Sequence, residues 1–189
     1  LVPRPETEIF VQKVLEIFDK KKINVLDLGT GSGAIGLSLA KERANWEVIC
    51  SDLSYEALKV TSKNMKRNSL DVSLVNSNWS SAFKNEYFDV IVSNPPYINP
   101  SDPRVYSDGL KFEPKQALIS DSGGLYDIER IIKETSEILN NAGYLFIEHG
   151  YDQSDSVVSI FETYGFSQIR TFKDLNGDDR VCSGKLNRC

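Results

Sequence analysis

The chain is predicted to fold as an α/β domain, a mainly parallel sheet with helices on both faces and an antiparallel hairpin at its C-terminal end. Three observations carry this expectation. Short β-branched and apolar runs alternate with longer amphipathic segments, the pattern of parallel strands joined by crossover helices. A glycine-rich turn links the first such run to the helix that follows it. The last two strand-like runs are separated by only the short turn Asp174–Asp178, which permits a hairpin but no crossover.

Taken in order, Glu6 to Lys21 carries Ile9, Phe10, Val14, Ile17 and Phe18 on one face at helical spacing, with Pro5 near the first turn. Ile23–Leu28 is a buried-type strand and Ala34–Lys41 a helix. Glu47–Ser51 is a second strand, and Tyr55–Asn68 a helix with Leu58, Thr61 and Met65 aligned. Val72–Val75 is a short third strand and Phe88–Ser93 a fourth. Leu125–Leu139 is amphipathic through Ile128, Ile131, Ile132, Ile138 and Leu139. Gly143–Glu148 is a fifth strand and Ser154–Tyr164 a helix, and Ser167–Phe172 and Arg180–Leu186 form the hairpin. The stretch from Asn94 to Gly124 breaks this rhythm. It holds five of the seven prolines and no sustained period, as expected of a lid or binding loop over the site it follows.

At 189 residues, with 40% hydrophobic and 26% charged content, the chain suits one soluble domain with a full core. A net charge of -5 argues against broad, sequence-independent binding to nucleic acid. No stretch approaches membrane-spanning length, and no secretory signal opens the chain. Cys50, Cys182 and Cys189 are an odd count without metal-ligand spacing, which fits reduced, packing cysteines in a cytoplasmic protein with no metal. Leu1 is not a methionine. Leu1-Val-Pro-Arg4 matches the start of a common protease-cleavage tag, but Pro5 would block such cleavage. The segment is therefore read as native, and the chain as a fragment lacking an N-terminal part.

Two motifs carry chemistry. Val25-Leu-Asp-Leu-Gly-Thr-Gly-Ser-Gly33 is a strand entering a glycine turn that opens a helix, where free N–H groups and close backbone approach suit a ligand. Asp52 follows roughly 20 residues later at the end of the second strand, placed to take both hydroxyls of a ribose. Gly31-Ser-Gly-Ala-Ile-Gly36 also satisfies the dinucleotide pattern of a nicotinamide dehydrogenase, but starts late relative to the strand. Asp27 favours the other reading: a carboxylate just before the turn suits a ligand with an amino group and a sulfonium, S-adenosylmethionine, and sits badly beside a pyrophosphate. The second motif is Asn94-Pro95-Pro96-Tyr97. The prolines fix their own φ and hold Asn94 extended, displaying one amide beside an aromatic ring. That arrangement suits a planar, amide-bearing substrate, although a stiff turn after a strand would look the same.

Together with Ser77-Asn78-Trp79, these motifs resemble class I adenosylmethionine-dependent methyltransferases that act on amino groups. Leu1-Val-Pro-Arg-Pro-Glu-Thr-Glu8, Phe112-Glu-Pro114, Ile147-Glu-His-Gly150 and Asp178-Asp-Arg-Val181 narrow the likeness to the release factor glutamine methyltransferases, the PrmC (HemK) family. The resemblance implies a Rossmann-like seven-stranded sheet whose last strand is antiparallel. Residues 1–20 would be a linker and leading helix, 21–189 the methyltransferase domain, and a helical substrate-binding domain would precede Leu1. The implied reaction methylates the side-chain amide nitrogen of the glutamine in the Gly-Gly-Gln motif of class I peptide chain release factors, by a monomer, leaving S-adenosylhomocysteine.

By that resemblance Asp27 and the turn Gly29, Thr30, Gly31, Ser32 and Gly33 would hold the methionine part of the cofactor. Asp52 and Leu53 would meet the ribose and its surroundings, Asn78 and Trp79 would flank the adenine, and Asn94 would touch both cofactor and substrate. The family commonly has Asp where this chain has Asn78, whose oxygen can still accept a hydrogen bond. Asn94 Oδ1 and the Pro95 carbonyl are expected to accept the two amide hydrogens, with Pro96 for rigidity and Tyr97 stacked on the amide. Glu113 is a candidate orienting carboxylate or a solvated lid charge, and His149 reads as a packed histidine rather than a base. A methyltransferase acting on an exocyclic amine of a nucleic acid would use the same tetrapeptide with a flipped base. A non-catalytic adenosylmethionine-binding domain is a third reading.

Overall fold

A computed structural model describes residues 5–18, 21–84, 87–103, 114 and 117–188. The elements are α1 (Pro5–Ile17), β1 (Asn24–Leu28), α2 (Ala34–Glu42), β2 (Glu47–Asp52), α3 (Tyr55–Arg67), β3 (Ser73–Asn76) and β4 (Phe88–Ser93). Then follow the single turn α4 (Asp121–Gly124), α5 (Tyr126–Ile138), β5 (Leu139–Glu148), α6 (Ser154–Thr163), β6 (Phe166–Lys173) and β7 (Asp179–Leu186). The seven strands form one sheet in the order β3-β2-β1-β4-β5-β7-β6. Strands β1 to β5 are parallel, and β7 runs against both β5 and β6, so the expected hairpin is present.

The sheet is sandwiched by two apolar layers because alternate residues of a strand point to opposite faces. Val25, Val48, Val90 and Val92 meet Phe10 and Val14 of α1 and Ile35 and Leu39 of α2 in one layer. Leu26, Leu28 and Ile91 meet Ile128, Ile131 and Ile132 of α5 and Val157 of α6 in the other. The i, i+3, i+4 spacing in α5 gives that helix its buried stripe, and Thr135 joins it by bonding its hydroxyl back to the Ile131 carbonyl at 2.7 Å. Helix α3 is capped by Ser54, whose side chain accepts the Ala57 N–H, and carries Lys66 and Arg67 in its last turn at the negative end of the helix dipole.

Several boundaries move relative to expectation. α1 stops at Ile17, closing with the Phe18 N–H on the Val14 carbonyl, rather than running to Lys21. β5 begins at Leu139, not Gly143: Leu139 pairs with Phe88, the chain bulges through Ala142 at φ 66°, and pairing resumes at Tyr144 with Val90. The turn α4 has no periodicity to announce it. Within the proline-rich excursion the two ends meet, since Ile98 and Ile119 form a parallel bridge. Phe112 and Glu113 lie outside the described residues, as do Leu1–Arg4. Among the described residues no helix is long and apolar enough to cross a membrane.

Candidate active site

Parallel strands deliver their carboxyl ends to one edge of the sheet, and in such sheets that edge is where ligands bind. Here β1 delivers Gly29, β2 delivers Asp52 and β4 delivers Asn94 to a cavity of about 690 Å³. The size suits a small-molecule cofactor. Leu28 and Ser93 are register partners, and the Ser93 hydroxyl donates to the Leu28 carbonyl at 2.8 Å, tying the two motif-bearing strand ends together.

The glycine turn is wound around carboxylates. Gly29 and Thr30 both donate their N–H groups to the Ser51 carbonyl at 2.9 Å, and Gly31 N–H donates to Asp52 Oδ2 at 2.9 Å. Asp52 Oδ1 accepts the Ser54 N–H at 2.8 Å, leaving further lone pairs on the carboxylate for hydroxyl donors. From behind, α3 fastens the turn's carbonyls: Thr61 donates to Gly31 O and Asn64 to Ser32 O. Gly29 has φ 73°, and a Cβ there would sit 3.1 Å from the Trp79 ring, so the turn accepts glycine and little else at that point.

Asp27 is 1% exposed and does more structural work than its sequence position conveys. Its Oδ2 accepts the Thr30 hydroxyl at 2.6 Å and the Gly36 N–H at 2.9 Å. Gly33 offers no side chain to cap α2, so the strand carboxylate caps the helix instead. Burial pushes the Asp27 carboxyl up to about 6, against the opposing pull of those two hydrogen bonds, and the nearby Asp52 charge adds to the rise. A carboxylate at the start of α2 leaves no anion site for a pyrophosphate, which removes the nicotinamide reading of Gly31–Gly36. Gly36 instead allows close packing, because a Cβ there would lie 2.9 Å from Asp27 Oδ2.

Across the cavity, Trp79 adopts φ 45° and donates its indole N–H to Asp127 Oδ1 at 3.2 Å, which orients the ring against Gly29. Asn78 is exposed on the lining, as is Leu53 at 68%. Asn94, Pro95, Pro96 and Tyr97 also line the cavity, with Asn94 exposed and Pro95 buried beneath it. The Tyr97 hydroxyl donates to Glu148 Oε1 at 2.9 Å, so the ring is anchored at its far end.

Gln153 and Asp127 stand outside every motif of the sequence, and Glu148 lies within Ile147-Glu-His-Gly150 without a role that the sequence assigns. Its signal is an acid at the carboxyl end of a strand next to β4. His149 is fully buried with Nδ1 2.8 Å from the Gly150 carbonyl, and burial holds its pKa below the ordinary value. That is a packed histidine. Cys50 and Cys182 are free, buried thiols whose pKa burial raises, so neither is a reactive thiolate. Among the described residues no three His, Cys, Asp or Glu side chains converge as a metal site would require.

This sheet order, with a glycine turn after β1, a carboxylate ending β2 and an Asn-Pro-Pro-Tyr segment after β4, is that of a class I methyltransferase. The ribosomal protein L11 methylase of Lactobacillus delbrueckii subsp. bulgaricus superposes with a TM-score of 0.73 at 18% identity, over 99% of this chain and 81% of that one. The family model of the methyltransferase small domain matches residues 6–108. The release factor glutamine methyltransferase of Buchnera aphidicola subsp. Schizaphis graminum is 46% identical over 186 residues, 98% of this chain and 67% of the relative. That of Salmonella typhimurium is 39% identical over 187 residues, 98% of this chain and 68% of the relative. The chain belongs to the release factor glutamine methyltransferase family.

Proposed function

We propose that this chain transfers a methyl group from S-adenosylmethionine to the side-chain amide nitrogen of the glutamine in the Gly-Gly-Gln loop of class I peptide chain release factors. The observation that carries this reading is one cavity shared by the carboxylate-wound glycine turn and the Asn94–Tyr97 segment, in a chain of this family. The cofactor, when bound, supplies an electrophilic methyl group on a sulfonium and leaves as S-adenosylhomocysteine.

Residues 29–33 would hold the methionine part, with the Asp27 charge favouring its ammonium. Asp52 would take the ribose hydroxyls with its remaining lone pairs, and Leu53, Asn78 and Trp79 would enclose the adenine. An amide nitrogen is a weak nucleophile because its lone pair is delocalised into the carbonyl, so the site must work by placement and charge. Asn94 Oδ1 and the Pro95 carbonyl accept the two amide hydrogens and stabilise the positive charge that grows on nitrogen as the carbon–nitrogen bond forms and the carbon–sulfur bond breaks. One of those hydrogens then leaves as a proton to water, and the neutral N-methylamide remains. Pro95 and Pro96 keep both acceptors from swinging. Tyr97 offers its ring to the same amide, and Glu113 remains a candidate substrate contact from the loop. Residues 21–189 are read as the methyltransferase domain, 1–20 as its leading helix and linker, and the cytoplasm as the place of action. A metal has no part in this scheme.

The direct test is mass spectrometry of a purified release factor incubated with this chain and adenosylmethionine. One added methyl on the Gly-Gly-Gln glutamine is the expected product. Transfer to an adenine of DNA or RNA, with none to that glutamine, would replace this reading with the nucleic-acid alternative.

A further inference from the structure

We infer that Gln153 is a positioning residue for methyl transfer: its carboxamide fastens both ends of the Asn94–Gly124 excursion to the exit of β5 and thereby fixes where Asn94 and the Pro95 carbonyl point. This inference rests on the acceptor-site reading above and adds to it a residue outside the tetrapeptide.

Gln153 is 8% exposed. Its Nε2 donates to the Tyr97 carbonyl at 3.0 Å and to the Gly123 carbonyl at 3.1 Å, while its Oε1 accepts the Gly150 N–H at 2.7 Å. The two carbonyls belong to opposite ends of the excursion, one just after the prolines and one just before α5. The backbone is drawn tight where they meet. Gly123 and Gly124 have φ 70° and 90°, and a Cβ on Gly124 would lie 2.7 Å from Gln153 Nε2 and overlap the Tyr97 carbonyl oxygen. The Ile98–Ile119 bridge continues the seam, with Ile98 N–H on Leu118 O at 2.9 Å and Ser120 N–H on Ile98 O at 3.1 Å.

Tyr97 is therefore held twice from the end of β5 and the segment that follows it, at its hydroxyl by Glu148 and at its carbonyl by Gln153. Pro95 and Pro96 have fixed φ, so an orientation imposed at Tyr97 is passed back to Asn94 with little slack. The task demands two donors and one acceptor on a single planar group. Glutamine supplies them, whereas glutamate lacks the donors and lysine the acceptor. A buried side chain that only filled space would not need this inventory.

The experiment compares wild type with Gln153→Ala and Gln153→Glu in the release-factor assay, with cofactor affinity measured by calorimetry. The glutamate variant keeps the shape and the acceptor for Gly150 but loses both donors. We expect kcat to fall on the order of 10- to 100-fold in each variant, with the cofactor Kd changed by less than about twofold. Lowering the pH should return part of the activity of Gln153→Glu, since a protonated carboxyl can donate to one carbonyl, and should return none to Gln153→Ala. A glutamate variant with undiminished kcat, or one that only melts earlier while its folded fraction turns over normally, overturns the inference. In that case an active wild type leaves the acceptor-site reading standing. A wild type that methylates no glutamine sinks that reading and this inference with it.

Discussion

The glycine turn after β1, the wall proposed for the cofactor, is held by its neighbours in sequence and sheet, whereas the Asn94–Tyr97 segment after β4, the wall proposed for the acceptor, is held by residues more than fifty positions further along the chain. The turn hangs on Ser51, Asp52, Thr61 and Asn64, all from β2 and α3. The acceptor segment hangs on Glu148 and Gln153, with sequence separations of 51 and 56. The glycine turn itself is thus fastened within the first half of the chain, while the Asn94–Tyr97 segment depends on the second. They share strand pairing through Leu28 and Ser93, and Asp127 reaches both sides by accepting Trp79 Nε1 and, at 2.7 Å, the Ser120 hydroxyl. A cavity built from two separately fastened walls should let binding and turnover be damaged one at a time.

The largest break is expected on the acceptor wall. Asn94→Ala removes one amide acceptor and should lower kcat by roughly 100- to 1,000-fold, the scale of losing one preorganised group that stabilises transition-state charge. Cofactor affinity, read by calorimetry, should fall far less, by about fivefold at most, because Asn94 would supply one cofactor contact among many while the Asp27–Asp52 wall is untouched. Activity near wild type would remove Asn94 from the chemistry. A parallel loss of cofactor affinity would show that the walls are not independent.

A smaller and opposite effect belongs to the cofactor wall. Asp52→Ala removes the acceptor of the Gly31 and Ser54 N–H groups as well as the lone pairs offered to a ribose. The expected loss is about 2 kcal/mol of binding, or roughly 30-fold in Kd, with kcat at saturating cofactor much less affected. An unchanged Kd would end the ribose assignment.

The same contrast decides what could be read from the sequence. That Asp27, the glycine turn and Asp52 would share one cavity was legible because these parts are local: strand, turn and carboxylate all lie within one β-α-β unit, where spacing constrains geometry. The sheet was legible for a similar reason, as Val90, Ile91 and Val92 or Ile128, Ile131 and Ile132 declare their faces by period. The bulge at Ala142 was not, since α5 and the ten-residue β5 abut without a glycine or proline boundary at Leu139. Gln153 was hidden because its partners are backbone groups, two carbonyls and one N–H, which have no sequence identity. The charge of Asp27 is plain in the sequence, but its capping of α2 depends on the packing distance to Gly36 that only the fold sets.

Asp27 provides the finest test of the cofactor wall. Its carboxyl titrates at about 6 when folded against an ordinary value of 3.8, mainly because it is buried. The folded chain therefore retains a proton between these values that the unfolded chain has released. The stability linked to this group is full below about pH 4 and is lost as the pH rises through about 6. Affinity for a cationic cofactor should run the other way, because the ammonium and sulfonium favour the ionised carboxylate. Calorimetry from about pH 5 to about pH 7 should show adenosylmethionine binding strengthening towards a plateau above 6, with a slope of at most about tenfold per pH unit below it. Asp27→Asn should flatten the curve at its weak end while keeping an oxygen for Thr30 and Gly36. A wild-type profile already flat across this range would leave Asp27 as the cap of α2 and take its charge out of cofactor binding.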